Sequence, residues 1–148
     1  MISTCIIGAS GYTGAELIKI IIKHPFFSLD ACYVSGGSAD CDKPIGSIHP
    51  ILFGQTDLVT IGLNQNDLGS MADEFDAIFL ATPHEASHDW SQALSNRKAK
   101  IFDLSGAFRL QDPKIFESFY GFKHEHTDLL KSAVYGLAEW NADAIKAA

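Results

Sequence analysis

ISTCIIGASGYTGAELIKII, residues 2–21, changes periodicity once, and that change decides the fold. Ile2 to Ile7 is short, apolar and rich in β-branched side chains, the signature of a buried strand, and it ends at Gly8. From Tyr12 to His24 the pattern is helical, with Glu16, Lys19 and Lys23 on one face and Leu17, Ile18 and Ile21 opposite. Between the two stands Gly8-Ala9-Ser10-Gly11-Tyr12-Thr13-Gly14, a G-x-x-G-x-x-G spacing. Glycines that leave an apolar strand and open an amphipathic helix build the turn where backbone amides and a helix N-terminus receive a pyrophosphate. Gly8 permits the tight turn, Gly11 lets a phosphate approach the backbone, and Gly14 lets helix and strand pack closely. Pro25 ends the helix, and Leu29 to Val34 reads as the second strand of a βαβ unit.

Further strands are predicted at Leu58 to Ile61, Ala77 to Ala81 and Lys100 to Leu104, with a helix from about Glu85 to Asn96. Continuous apolar strands alternating with helices imply a parallel sheet covered on both faces. The expectation is one α/β unit over residues 1–148, Rossmann-like and doubly wound around a mainly parallel sheet. With Lys+Arg 11 against Asp+Glu 18 the formal charge is −7, the wrong sign for a nucleic-acid binder. Hydrophobic residues make up 47%, which excludes disorder. The longest apolar run is Ala77 to Ala81 and the first basic residue is Lys19, so neither a membrane span nor a secretory leader is expected, and the chain reads as cytoplasmic. Cys5, Cys32 and Cys41 lack C-x-x-C spacing, and the first two sit in apolar stretches, so reduced thiols are expected.

A ribose-binding carboxylate would stand at the end of the second strand, where this sequence has Ser35-Gly36-Gly37-Ser38. An acid there would repel a 2′-phosphate, whereas Ser35 and Ser38 can donate to one, which favours NADP(H) over NAD. Lys43 is either the missing positive charge or an ordinary loop lysine. Thr82, Pro83 and His84 follow a parallel strand at the carboxyl edge, where α/β sheets bind ligands. His84-Glu85-Ala86-Ser87-His88 also matches H-E-x-x-H, which opens an alternative reading as a zinc hydrolase, with His124 and His126 as further ligands. Pro83 sets the histidines at a helix start, unlike a zincin, and no metal is expected. A short-chain reductase is excluded, because no tyrosine is followed four residues later by lysine.

GASGYTGAEL (Gly8 to Leu17), FLATPHEASH (Phe79 to His88), FDLSGAFRL (Phe102 to Leu110), FYGFKH (Phe119 to His124) and VYGLAEW (Val134 to Trp140) together resemble the N-acetyl-gamma-glutamyl-phosphate reductases of arginine biosynthesis. The resemblance spans nearly the whole chain, and the D-L-S-x-x-F-R-L and Y-G-L-x-E blocks are its specific part. It implies NADPH-dependent reduction of N-acetyl-glutamyl 5-phosphate to the semialdehyde, in which a cysteine thiolate displaces phosphate. In the family that cysteine lies in a P-G-C-Y-P-T block, and the catalytic histidine and most of the dimer surface belong to a following α+β domain. Neither is found up to Ala148, the last residue, so the resemblance places the nucleophilic cysteine and the catalytic histidine beyond Ala148 and no catalytic residue before it. It therefore implies an NADP-binding domain, inactive alone, of a protein expected to be homo-oligomeric. The competing reading is a non-catalytic NADP-sensing module.

By the same resemblance, Ser10, Tyr12 and Thr13 line the pyrophosphate turn and Thr82, Pro83 and His84 the nicotinamide side. Ser105 and Arg109 are candidates to hold the phosphate or carboxylate of the small-molecule substrate, since arginine offers a bidentate fork to oxyanions. The alternative for Arg109 is a salt bridge to Asp103 or Asp112. Gly106-Ala107 departs from the Ala-Asp common in the family. Phe116, Phe119, Tyr120 and Phe122 are expected to pack as core. In the family a further strand beyond Ala148 would extend the sheet, so by the resemblance an unpaired edge is expected here, through which the chain self-associates.

Overall fold

Alternate side chains of the first strand, β1 (Ile2–Ile7), go to opposite faces of the sheet, and both faces are covered. Cys5 and Ile7 join a core with Leu68, Met71, Phe75 and Leu94, while Ile6 joins another with Ala15, Ile18 and Ile21. The computed structural model, which describes residues 1–148, places β1 at the centre. The other strands are β2 (Phe27–Ser35), β3 (Thr60–Leu63), β4 (Ala77–Leu80) and β5 (Lys100–Asp103), in the order β3-β2-β1-β4-β5. Every pairing is parallel, so the sheet is wholly rather than mainly parallel. This is the doubly wound α/β arrangement read from the sequence.

Helix α1 (Tyr12–Ile21) and the short α2 (Ile45–Ile48) cover one face, and α3 (Leu68–Ala72) and α4 (His84–Leu94) cover the other. Because β1 is followed by β2 on one side and β4 lies on the other, the connections diverge at the carboxyl ends of β1 and β4. That opens a crevice at the switch point of the sheet.

Several boundaries differ from the reading of the sequence. Helix α1 stops at Ile21; the amides of Lys23 and His24 bond three residues back, which tightens the exit ahead of Pro25. Strand β2 starts earlier, because Phe27 already pairs with Ile2. Helix α4 begins at His84 itself and ends at Leu94. The third strand is shifted along the chain: Val59 forms an isolated antiparallel bridge with Pro44, and parallel pairing with β2 begins at the fully buried Thr60.

After β5 the chain adds α5 (Pro113–Tyr120), α6 (Thr127–Ser132) and α7 (Ala138–Ala147). Asp112 caps α5 by accepting from the amides of Lys114 and Ile115, Pro113 sits in its first turn, and Gly121 closes it at φ 79°. The aromatic cluster on α5 is core only in part. Phe116 is fully buried and stacks on Tyr120, but Phe119 is 77% exposed, which corrects the expectation: only one side of so short a helix meets the body. Lys100 Nζ donates to the Ala148 carbonyl at 2.7 Å, which lays the end of α7 against the start of β5. No helix is long and apolar enough to cross a membrane.

Candidate dinucleotide site at the carboxyl edge

The glycine turn is built as its spacing requires. Gly8 sits at φ 89°, and its amide and that of Ala9 both donate to the Tyr33 carbonyl, at 2.9 and 3.0 Å, tying the turn to the end of β2. A Cβ on Gly8 would collide with the Ala81 backbone, and one on Gly14 would lie 2.8 Å from Ala9 Cα. Gly11 closes the turn by donating to the Gly8 carbonyl at 3.2 Å, and its own carbonyl accepts the first helical bond, from Ala15 at 3.0 Å. The amides of Ser10, Tyr12, Thr13 and Gly14 therefore have no acceptor in the protein, and no side chain caps α1. Several free donors at a helix N-terminus suit a diphosphate in charge and geometry, which is the fit a dinucleotide requires.

The two flanks of this turn carry the other residues read as cofactor ligands. At the end of β2, Ser35 is exposed and Ser38 half-buried; Ser38 Oγ accepts from the Asp40 amide at 3.1 Å, so its hydroxyl hydrogen is still available. Lys43 Nζ lies 3.7 Å from Asp40 Oδ1, a loose surface pair that leaves the amine free to turn elsewhere. At the end of β4, the Thr82 hydroxyl meets Ser87 Oγ at 2.8 Å, Pro83 is the N-cap residue of α4, and His84 Nδ1 accepts from the Gly106 amide at 2.8 Å.

Beyond β5 the chain forms a compact hydrogen-bonded loop around Asp103. Its carboxylate accepts from Ser87 Oγ at 3.0 Å, from the Ser105 amide at 2.9 Å and from Ser105 Oγ at 3.0 Å. Ser105 Oγ in turn accepts from the Ala107 amide at 3.0 Å. The Ser105 hydroxyl is thus committed within the loop, and the alternative for Arg109, a salt bridge, does not form: Asp103 is engaged by serines and Asp112 by the α5 cap. Arg109 has only a long contact, 3.5 Å, from Nη2 to the Ser105 carbonyl. Its guanidinium and Thr13 both line a cleft of about 560 Å3 with Phe108, Tyr135 and Leu137. Thr13 is thus the point at which the glycine turn reaches the cleft of the Arg109 loop. The sequence reading named Asp103 only as a possible partner of Arg109 and missed its role as the acceptor at the centre of this loop.

The H-E-x-x-H residues are otherwise employed. His88 is buried, its Nδ1 paired with Asp89 at 2.9 Å and its Nε2 accepting from the Glu125 amide at 3.0 Å. Both histidines point a lone pair at a backbone donor rather than at a common centre. No three His, Cys, Asp or Glu side chains converge as a ligand set.

Cys5 and Cys32 are fully buried inside strands, and burial pushes both thiols up, that of Cys32 to about 12. Neither is a nucleophile in this state. Cys41 is half-buried beside Gly62, on the β2–β3 side and away from the Arg109 loop.

Comparison with known proteins agrees with this geometry. A reductase from Pseudoalteromonas atlantica, N-acetyl-gamma-glutamyl-phosphate reductase, is 60% identical over all 148 residues, which make up 43% of its length. The enzyme of the same name from Alteromonas mediterranea is 50% identical over 148 residues, 44% of its length. The chain thus spans less than half the length of the curated relatives it matches. Among solved structures, aspartate semialdehyde dehydrogenase with NADP from Candida albicans superposes at a TM-score of 0.60 and 18% identity, over 76% of this chain and 32% of that one, a likeness of fold. The semialdehyde dehydrogenase NAD-binding domain family matches residues 3–148, and with the free amides of the glycine turn at the switch point this places the chain in that family.

Proposed function

We propose that residues 1–148 are the NADP(H)-binding domain of an N-acetyl-gamma-glutamyl-phosphate reductase, and that they also supply part of the substrate pocket. The observation that carries this reading is the row of unpaired amides at Ser10, Tyr12, Thr13 and Gly14, of which Thr13 lines the same cleft as an arginine without a carboxylate partner. The family and the closely similar reductases give it a reaction. The bound cofactor would supply a hydride to the acyl carbon after phosphate has left.

Each group of this chain then has a task. The glycine-turn amides hold the pyrophosphate, and Gly8 and Gly14 keep strand and helix close enough for it to seat. Ser35 and Ser38, with Lys43, take the 2′-phosphate, because no carboxylate stands at the end of β2 to repel it. Thr82, Pro83 and His84 form the wall on the nicotinamide side. Arg109 receives the phosphate or carboxylate of the substrate through its planar fork, and Ser105 shapes the loop that carries it. The thiolate that attacks the acyl phosphate is not among these residues, since Cys5 and Cys32 are buried and Cys41 lies on the other side of the sheet centre. In this reading the nucleophilic cysteine and the catalytic histidine belong to the part of the reductase beyond Ala148, which in the relatives is more than half of the protein.

Calorimetric titration with NADPH and NADH tests the reading. NADPH is expected to bind at least about tenfold more tightly than NADH, a difference of about 1.4 kcal/mol, and Ser35→Asp to abolish that preference. Equal affinity for the two, or an unchanged preference in Ser35→Asp, overturns the assignment of the 2′-phosphate site.

A further inference from the structure

His84 and His88 lie one turn apart on the same face of α4, and each offers a ring nitrogen to a backbone amide of a distant segment. A nitrogen that accepts from an N–H carries no proton of its own, so His84 holds Gly106 through Nδ1 in the tautomer that leaves the hydrogen on Nε2. What His84 grips is the loop that carries Arg109. Three consecutive amides of that loop are bound: Ser105 to Asp103, Gly106 to His84, and Ala107 to Ser105 Oγ. The first and third acceptors belong to the loop's own stretch of chain. His84 alone among the three comes from another element, so its bond, with that of the Leu104 amide to the Leu80 carbonyl just before the loop, sets where the loop stands relative to the end of β4.

Two more contacts make the grip specific. The His84 ring meets Tyr120 edge-on, with centroids 4.9 Å apart, and Tyr120 packs so closely over Gly106 that a side chain there would strike it. The Arg109 amide then closes the turn by donating to the Gly106 carbonyl at 3.2 Å. Arg109 has no carboxylate partner, and the hydrogen bond its guanidinium makes is to the loop backbone, at the Ser105 carbonyl.

We propose that His84 is a positioning residue whose Nδ1 lone pair anchors the Gly106 amide and thereby aims Arg109 into the cleft to receive an oxyanion of the substrate. This rests on the reading of Arg109 as the oxyanion ligand given above. It replaces a metal-binding role for the first histidine of H-E-x-x-H with that of a backbone acceptor.

Asparagine can place Oδ1 where Nδ1 of histidine stands, whereas leucine fills the volume without an acceptor. The test follows inorganic phosphate binding by NMR at the Ser105 to Phe108 amides, which separates this site from the glycine turn. It uses the natural chain, His84→Asn, His84→Leu and Arg109→Gln. His84→Asn is expected to keep phosphate affinity within about threefold and the Gly106 amide protected from exchange; His84→Leu is expected to lose about tenfold, with that amide exposed, at a similar melting temperature. If His84→Leu binds as the natural chain does, or if asparagine and leucine lose affinity equally, the positioning role is overturned. Unchanged affinity in Arg109→Gln would instead overturn the assignment of Arg109, whatever the His84 variants do.

Discussion

His124 shows how much one side chain can cost when its surroundings satisfy only half of it. Its Nε2–H donates to the Ala107 carbonyl at 3.0 Å, but Nδ1 is buried with no partner, packed edge-on against Phe108, Phe116 and His88. Burial holds its pKa below the ordinary 6.5, and the neighbouring His88 and His126 add to the effect against a smaller opposing pull from the Ala107 bond. The unfolded chain takes up this proton near pH 6.5, while the folded chain resists it until lower pH. Stability is therefore full above 6.5 and falls as the pH drops from there toward the folded value, by at most about 1.4 kcal/mol per pH unit for one proton. Urea midpoints measured from pH 7.5 down to 5.5 should show this loss, and His124→Phe, which keeps an aromatic ring in place, should flatten it. An equally steep fall in His124→Phe would assign the loss to another group.

At the scale of elements, β5 is the most exposed strand of the sheet. The amides of Lys100 and Leu104 reach β4, at 2.9 and 3.0 Å, so by the alternation of a parallel strand those of Ile101 and Asp103 face outward. Ile101 and Phe102 are also partly exposed, a combination that templates pairing with a second strand. Sedimentation at rising concentration should reveal self-association, and Ile101→Pro, which removes an outward donor without touching the β4 ladder, should suppress it. A sedimentation coefficient independent of concentration would refute edge pairing. β1, the glycine turn and α1 could be read in advance because the whole signal is local: a change of period across three glycines. β3 could not be placed to the residue, because Leu58 and Val59 are as strand-like as Ile61. What sets the start is Thr60, whose hydroxyl bonds to the Asp40 and Lys43 backbone some 20 and 17 positions away. The same limit hid the true partners of His84 and His88: spacing along α4 puts the rings on one face, but the amides they accept lie 22 and 37 residues further on. The role of Asp103 stayed hidden for a related reason, since a carboxylate that gathers serines from two segments carries no spacing of its own.

Across the whole molecule, the sheet divides the chain into two apolar layers that share β1 and β2. Cys5 and Cys32 mark one layer each, from neighbouring strands and opposite faces, and both are fully shielded. Cys41 stands outside either layer and is partly exposed. In a solution of a thiol reagent the folded protein therefore offers one reactive sulfur out of three. The other two can respond only when the layer over each face lifts from the sheet, α3 and α4 over Cys5 and α1 over Cys32. Their delayed modification would count the uncovering of each face, one sulfur for each layer. A lag common to both would mean that the two layers come apart as a single cooperative unit, so that the chain carries within its own core the timer of its unfolding.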